Sequence, residues 1–138
     1  MRKVMAFGAF DILHPGHLYY LGEAKKLGDE LIVVVATDSN IAKVKGARPL
    51  NDQEQRLEVV RAVKSVDDAL LGSEENMFEI ISEHRPEAIA LGYDQKVDEM
   101  KLKEFLENEK INSEIVRIGA FEADKNKSSI IKKRIQGN

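Results

Sequence analysis

The sequence contains no cysteine and no tryptophan, and only three prolines and three histidines. Without cysteine there is no disulfide framework and no thiol nucleophile, and the absence fits a reducing compartment. A zinc site is short of ligands as well: His14 and His17 make half of one at most, and His84 is the only other imidazole, whereas zinc takes three or four protein ligands. Long hydrophobic runs are also missing. The longest, such as Leu31-Ile32-Val33-Val34-Val35-Ala36, are far too short to span a bilayer, and Met1-Arg2-Lys3 leads straight into a strand. Nor is there an excess of one charge. With 21 basic against 24 acidic residues and a formal charge of −3, whole-molecule electrostatics give no reason to expect a nucleic acid partner. The expectation is a cytoplasmic protein away from membranes, one domain over residues 1–138, whose anion binding, if any, is local.

What the chain does have is a regular beat. Lys3 to Gly8 is a short apolar run ending in a turn, and Glu30 to Thr37 is a β-branched run of the kind buried on both faces of a parallel sheet. Between them, Leu18, Leu21, Ala24 and Leu27 recur at helical spacing, and Gly28-Asp29 closes the helix. A polar loop is expected from Asp38 to Pro49. Asn51 or Asp52 then caps a helix with a capping box to Gln55, and Val59, Val60 and Val63 form its buried face.

A strand at Ala69 to Gly72 follows, then a helix capped by Ser73, with Met77, Ile80 and Ile81 inward and Arg85-Pro86 as its stop. His84 near that stop reads as a solvated residue complementing the helix dipole. Glu87 to Gly92 is a fourth strand, and Val97 to Glu109 a helix with Leu102, Phe105 and Leu106 apolar. Ser113 to Ile118 is a fifth strand, and a serine-capped helix is expected in the tail Glu122 to Asn138. Alternating strands and helices imply βαβ units: a Rossmann-like α/β fold with a five-stranded parallel sheet in the order 3-2-1-4-5 and helices on both faces.

The chemistry concentrates in Phe7-Gly8-Ala9-Phe10-Asp11-Ile12-Leu13-His14-Pro15-Gly16-His17. It reads as strand end, tight loop and helix start. Pro15 suits the first helical position, where a missing N–H costs nothing, and Gly16 admits close approach to the backbone. His14 and His17 would bracket a helix N-terminus, whose field attracts phosphate and favours neutral imidazoles that still donate one hydrogen bond each.

Open parallel sheets bind ligands beyond the carboxyl ends of their strands, where strand order reverses. The loop Gly92-Tyr93-Asp94-Gln95 and the Ser128-Ser129 helix start reach the same crevice. Asp94 could stabilise a turn or accept hydrogen bonds from a base or ribose, and Asp11 could cap its loop or help hold a magnesium ion. Lys43 and Lys45 could be a solvated loop or fold over a phosphate chain, with Gly46 as a hinge. Tyr19 and Tyr20 read as packing or rim residues.

Assembled, Gly8-Ala9-Phe10-Asp11 and His14-Pro15-Gly16-His17 resemble the signature of the cytidylyltransferase-like nucleotidyltransferases. The lysine loop, Gln55-Arg56, Gly92-Tyr93-Asp94-Gln95 and Ser128-Ser129 extend the likeness. Lys45-Gly46-Ala47-Arg48-Pro49-Leu50 and Leu91-Gly92-Tyr93-Asp94-Gln95 resemble an archaeal branch that uses ATP to adenylylate FMN, itself similar to glycerol-3-phosphate cytidylyltransferases. Those cytidylyltransferases carry Arg-Thr-x-Gly before the serine motif, where this chain has Asp124-Lys125-Asn126-Lys127, which weighs against CTP. Position 9, commonly threonine, is Ala9, so only its backbone can serve a phosphate.

The resemblance implies attack by a substrate phosphate on the α-phosphorus of a nucleoside triphosphate. His14, His17 and Lys45 would be catalytic. Ala9, Phe10, Pro15, Gly16, Gly92, Asp94, Phe121, Ser128 and Ser129 would join both histidines in holding the nucleotide, and Asp11, Lys43 and Arg56 would serve the acceptor. No protein-held metal centre is expected, only a divalent cation, Mg²⁺, bridging phosphates. A homodimer is also suggested, with Tyr19-Tyr20 as a contact. Two other readings stay open: a CTP-dependent glycerol-3-phosphate or sugar-phosphate cytidylyltransferase, and a nucleotide-binding regulatory module without chemistry.

Overall fold

The computed structural model describes residues 1–73 and 77–121. The elements run β1 (Lys3–Gly8), α1 (Pro15–Lys25), β2 (Glu30–Val35), α2 (Asp38–Lys45), α3 (Gln53–Arg61), β3 (Asp68–Leu71), α4 (Met77–His84), β4 (Ala88–Gly92), α5 (Glu99–Asn108) and β5 (Glu114–Ile118). The five strands form one parallel sheet in the order β3-β2-β1-β4-β5, as the alternation implied. The expected serine-capped helix in the tail lies outside the described residues.

Period-two alternation sorts the strand side chains into two apolar layers. Val4 and Ala6 of β1, Leu31, Val33 and Val35 of β2, and Ala88 and Ala90 of β4 meet Leu21 and Ala24 of α1 and Leu57 and Val60 of α3. Met5, Ile32, Val34, Ile89 and Leu91 face the opposite way, onto Ile80 and Ile81 of α4 and Leu102 and Leu106 of α5. Both faces are covered, which is why β2 reads as an unbroken apolar run. On the α1 side, Ala6, Ala88 and Ala90 are the small residues of β1 and β4, beside Val4.

Two expectations change. The polar loop at 38–49 contains α2, capped by the Thr37 hydroxyl, which accepts from the Asn40 amide, and ended by Gly46 at φ 76°. Only Ile41 of that helix is buried, so no stripe betrays it in the sequence. On α3 the inward residues are Arg56, Leu57 and Val60, whereas Val59 is 49% exposed. The capping box between Asp52 and Gln55 forms as expected.

Carboxylates tie loops to strands at both ends of the sheet. Below it, Asp67 accepts from Lys25 Nζ and the Leu31 amide, and Glu87 from the Lys3 amide. Above it, Asp11 Oδ1 and Oδ2 accept from the amides of Asn51 and Leu50 at 2.8 and 2.9 Å, and Asp38 binds Arg56 Nη2 at 2.9 Å.

These bonds hold all four pKa values below their ordinary range. The leading cause is the Lys25 ammonium for Asp67, the Lys3 amide for Glu87, the Asn51 amide for Asp11 and the Arg56 guanidinium for Asp38. A depressed carboxylate pKa contributes stability above the unfolded value and loses it as the pH falls through the folded one. The melting temperature should therefore hold steady from neutrality to about pH 5 and fall below about pH 4. In Glu87→Gln that fall should be shallower, and an unchanged slope by calorimetry would contradict the assignment.

Candidate active site

The histidine turn forms at the carboxyl end of the central strand. Pro15 is the first residue of α1 and His14 its N-cap, with φ −141° and ψ 171°. The two imidazoles cap the helix reciprocally. His14 Nδ1 accepts from the Gly16 amide at 3.1 Å, and His17 Nδ1 accepts from the His14 amide at 3.3 Å. A backbone N–H can only donate, so both Nδ1 atoms are acceptors and each neutral ring carries its proton on Nε2. The rings stack with centroids 3.8 Å apart, setting two outward N–H donors side by side.

Gly16 has a role other than the one expected of it. A Cβ there would stand 2.8 Å from His14 Cε1, so the missing side chain makes room for the imidazole itself. Phe10 supports the pair from below: it is buried, and its ring meets that of His17 edge-on at 5.2 Å. Its φ of 54° is uncommon for a non-glycine residue, and its ring occupies the place a Gly8 Cβ would take, 2.6 Å away. A strained backbone is thus held by a packed ring directly beneath the histidines.

Burial pushes the His17 pKa below 6.5, the neighbouring His14 lowers it further, and Asp94 pulls it part of the way back. β4 lies beside β1 in parallel, so the loop after β4 leaves the sheet on the same side as the histidine turn. β1 and β4 part early at the ends that carry these two loops. β2 pairs with β1 along all of Lys3–Gly8, whereas β4 pairs only from Val4 to Ala6.

Beyond Ala6, side chains stand in for the ladder. The Tyr20 hydroxyl accepts from the Phe7 amide at 3.2 Å and donates to Ala90 O at 2.6 Å. The Gln95 carboxamide donates to Phe7 O at 2.6 Å and accepts from the Gly92 amide at 3.0 Å. Arg117 then braces the loop from the edge strand, donating through Nη1 to Gly92 O and Gln95 O at 2.6 and 2.7 Å and through Nε to Glu99.

Tyr20, read from sequence as packing or rim, is such a strut, and its burial raises its pKa. Gln95 was read only as part of its loop, with no role of its own, and Arg117 went unnoticed. An arginine between the apolar Val116 and Ile118 of the fifth strand was the signal available for the latter.

The remaining candidates divide. Arg56, expected to hold an acceptor phosphate, has a fully buried side chain that donates to Ala9 O at 2.7 Å, Asn51 O at 3.0 Å and Asp38. It locks the histidine loop to α2 and α3, and it also takes the Ala9 carbonyl. Asp11 likewise has both oxygens on amides. Lys43 and Lys45 are exposed on the last turn of α2. Phe121 packs on Tyr19 of α1, with ring centroids 5.5 Å apart, which brings the segment after β5 back over the helix that begins at the histidines. Ser128 and Ser129 lie outside the described residues. Among the described residues no cluster of three His, Asp or Glu could hold a metal ion, and no helix is long and apolar enough to cross a membrane.

Fold and turn together define a class: a Rossmann-like α/β protein with paired, neutral imidazole donors at its switch point. The chain belongs to the cytidylyltransferase-like family, whose model matches residues 5–134. It is 50% identical to the FAD synthase of Thermoplasma acidophilum over 135 residues, covering 98% of this chain and 94% of that one. It is 52% identical to the FAD synthase of Archaeoglobus profundus over 122 residues, covering 88% and 77%. A crystal structure titled as the lipopolysaccharide core biosynthesis protein of Thermoplasma volcanium superposes with a TM-score of 0.83 at 48% identity, covering 88% of this chain and 99% of that one.

Two measurements check the site. His17 should titrate below 6.5 by NMR and stay neutral at physiological pH. The unfolded imidazole takes its proton first as the pH falls, so His17 subtracts stability below about 6.5; a midpoint above that value would contradict the assignment. Tyr20→Phe leaves the Phe7 amide and the Ala90 carbonyl unbridged and should cost about 1–3 kcal/mol in urea unfolding.

Proposed function

We propose that this protein transfers the adenylyl group of ATP to FMN, forming FAD and releasing pyrophosphate. The observation that carries the reading is the stacked pair of Nε2–H donors at the α1 N-terminus, beside the point where β1 and β4 stop pairing. FAD synthases about half identical to this chain supply the acceptor and the base.

An FMN phosphate oxygen attacks the α-phosphorus of ATP. One P–O bond forms, the bond from the α-phosphorus to the α,β-bridging oxygen breaks, and pyrophosphate leaves with its electron pair, so no covalent enzyme intermediate is needed. The residues contribute position and charge stabilisation. His14 and His17 donate to the α- and β-phosphate oxygens on which charge builds. Because both are neutral, they do so without giving up a proton. The Gly16 amide behind His14 Nδ1 and the His14 amide behind His17 Nδ1 polarise the two rings outward, carrying the positive end of the helix to the substrate.

Lys45, at the end of α2, reaches the outer phosphates, and Ser128 and Ser129 are assigned to the same anion by family resemblance. Lys43 lies at the acceptor side. Gly92 and Asp94 border the nucleotide, with the Phe121 segment closing over it.

A divalent cation, Mg²⁺ by preference, would arrive with the nucleotide and neutralise phosphate charge, since the one carboxylate in the histidine loop is already committed to amides. ATP and FMN are then the partners, the flavin being substrate and not prosthetic group. We place the protein in the cytoplasm as one domain, and a homodimer remains part of the reading.

The test is product analysis with Mg²⁺: ATP plus FMN should yield FAD and pyrophosphate, while CTP plus glycerol 3-phosphate should yield neither new product. His17→Ala should keep its melting temperature and lose roughly a hundredfold to a thousandfold in turnover. Near-wild-type turnover in that variant would remove His17 from the mechanism, and nucleotide binding without any pyrophosphate release would favour a regulatory module.

A further inference from the structure

A cavity of about 400 Å³ opens beside the histidine turn, between the loop after β1 and the outer face of α3. Phe10, Ile12, Leu13 and Val59 give it apolar walls, and Asn51 and Gln55 stand among its polar ones. Its size falls in the ordinary range for small-molecule sites and suits one planar ring system.

Three features point to an occupant. Ile12 is 60% exposed and Val59 49% exposed, and Leu50 beside them is 81% exposed. Large aliphatics turned to water around one concavity mark a surface kept apolar for contact. Phe10 is also a shared wall: its ring lines the cavity and touches His17. A ligand whose ring sits in the cavity can therefore hold a phosphate at the imidazoles.

The polar rim is complementary as well. The Asn51 Nδ2 amide donates to Asp11 O, which leaves its carbonyl to accept, and Gln55 Oε1 accepts from the Asp52 amide, which leaves its Nε2 to donate. One acceptor and one donor side by side match a ring edge that alternates N–H and C=O.

We propose that this cavity is the flavin site: the isoalloxazine of FMN lies against Phe10, Ile12, Leu13 and Val59, with its pyrimidine edge toward Asn51 and Gln55. The inference rests on the adenylyltransferase reading and adds where the acceptor's ring goes. Val59 falls on the cavity lip because α3 turns Arg56, Leu57 and Val60 inward. Its exposure makes it replaceable without disturbing the core.

The experiment measures KM for FMN and for ATP in the full chain, its Val59→Asp and Ile12→Ser variants, and inhibition by riboflavin, which has the ring without the phosphate. Each variant should raise KM for FMN about tenfold or more while leaving KM for ATP and the melting temperature unchanged. Riboflavin should compete with FMN in the wild type and lose that competition in Val59→Asp. Variants with wild-type KM for FMN would overturn the site while leaving the adenylyltransferase reading intact. A rise in KM for ATP alone would give the cavity to the adenine and overturn it equally. A wild-type protein inert toward FMN would remove the reading on which the proposal stands.

Discussion

The site depends on a failure of strand pairing. Two neighbouring parallel strands ordinarily hydrogen-bond to their ends, but β4 leaves β1 after Ala6, and the Phe7 amide and carbonyl would then be stranded in a buried crevice. Leaving both unpaired would cost several kcal/mol. The Tyr20 hydroxyl and the Gln95 carboxamide take those groups instead and bridge them to Ala90 and Gly92. Each is one atom group wide, so they satisfy the backbone while keeping the strands apart. The two strands thus part at the switch point of the sheet without leaving polar groups unpaired.

The histidine pair solves a second problem with the same economy of parts. A helix N-terminus carries unpaired amides and a positive field, useful for phosphate but fixed in direction. Here the imidazoles cap two amides and pass the donor function to Nε2, several ångströms further out. Burial and the neighbouring His14 hold the His17 pKa down, so its tautomer is set by the backbone amide it accepts from. Phe10, with its left-handed backbone, and Gly16, with no side chain, exist in their positions to let two rings stack over one helix end.

Arg56 and Asp11 show how a charged residue near the histidine turn can belong to its scaffold. Arg56 draws together Ala9, Asn51 and Asp38, and Asp11 draws Leu50 and Asn51 onto the histidine loop. Three segments far apart in sequence are thereby fixed around one turn, and the cavity beside α3 is what remains between them. Buried ionic groups of this kind hold geometry more than they add stability.

The strand-helix alternation, the sheet order, Pro15 at N1, the Asp52 capping box and the histidine turn were all legible in the sequence, because each is set by local chemistry or by apolar spacing. α2 was not, since a helix with one buried residue has no period to read. Nor were the outward turn of Val59 and the burial of Arg56, which depend on which face of α3 meets the sheet. Tyr20, Gln95 and Arg117 became site residues only through contacts 13, 88 and 25 positions away in the chain. The sequence by itself determined that a histidine-capped turn would stand at the end of a central strand, because its residues act on their own backbone. Tertiary structure alone decided how wide the crevice is and what lines it, because those are properties of strands and side chains that meet only after folding.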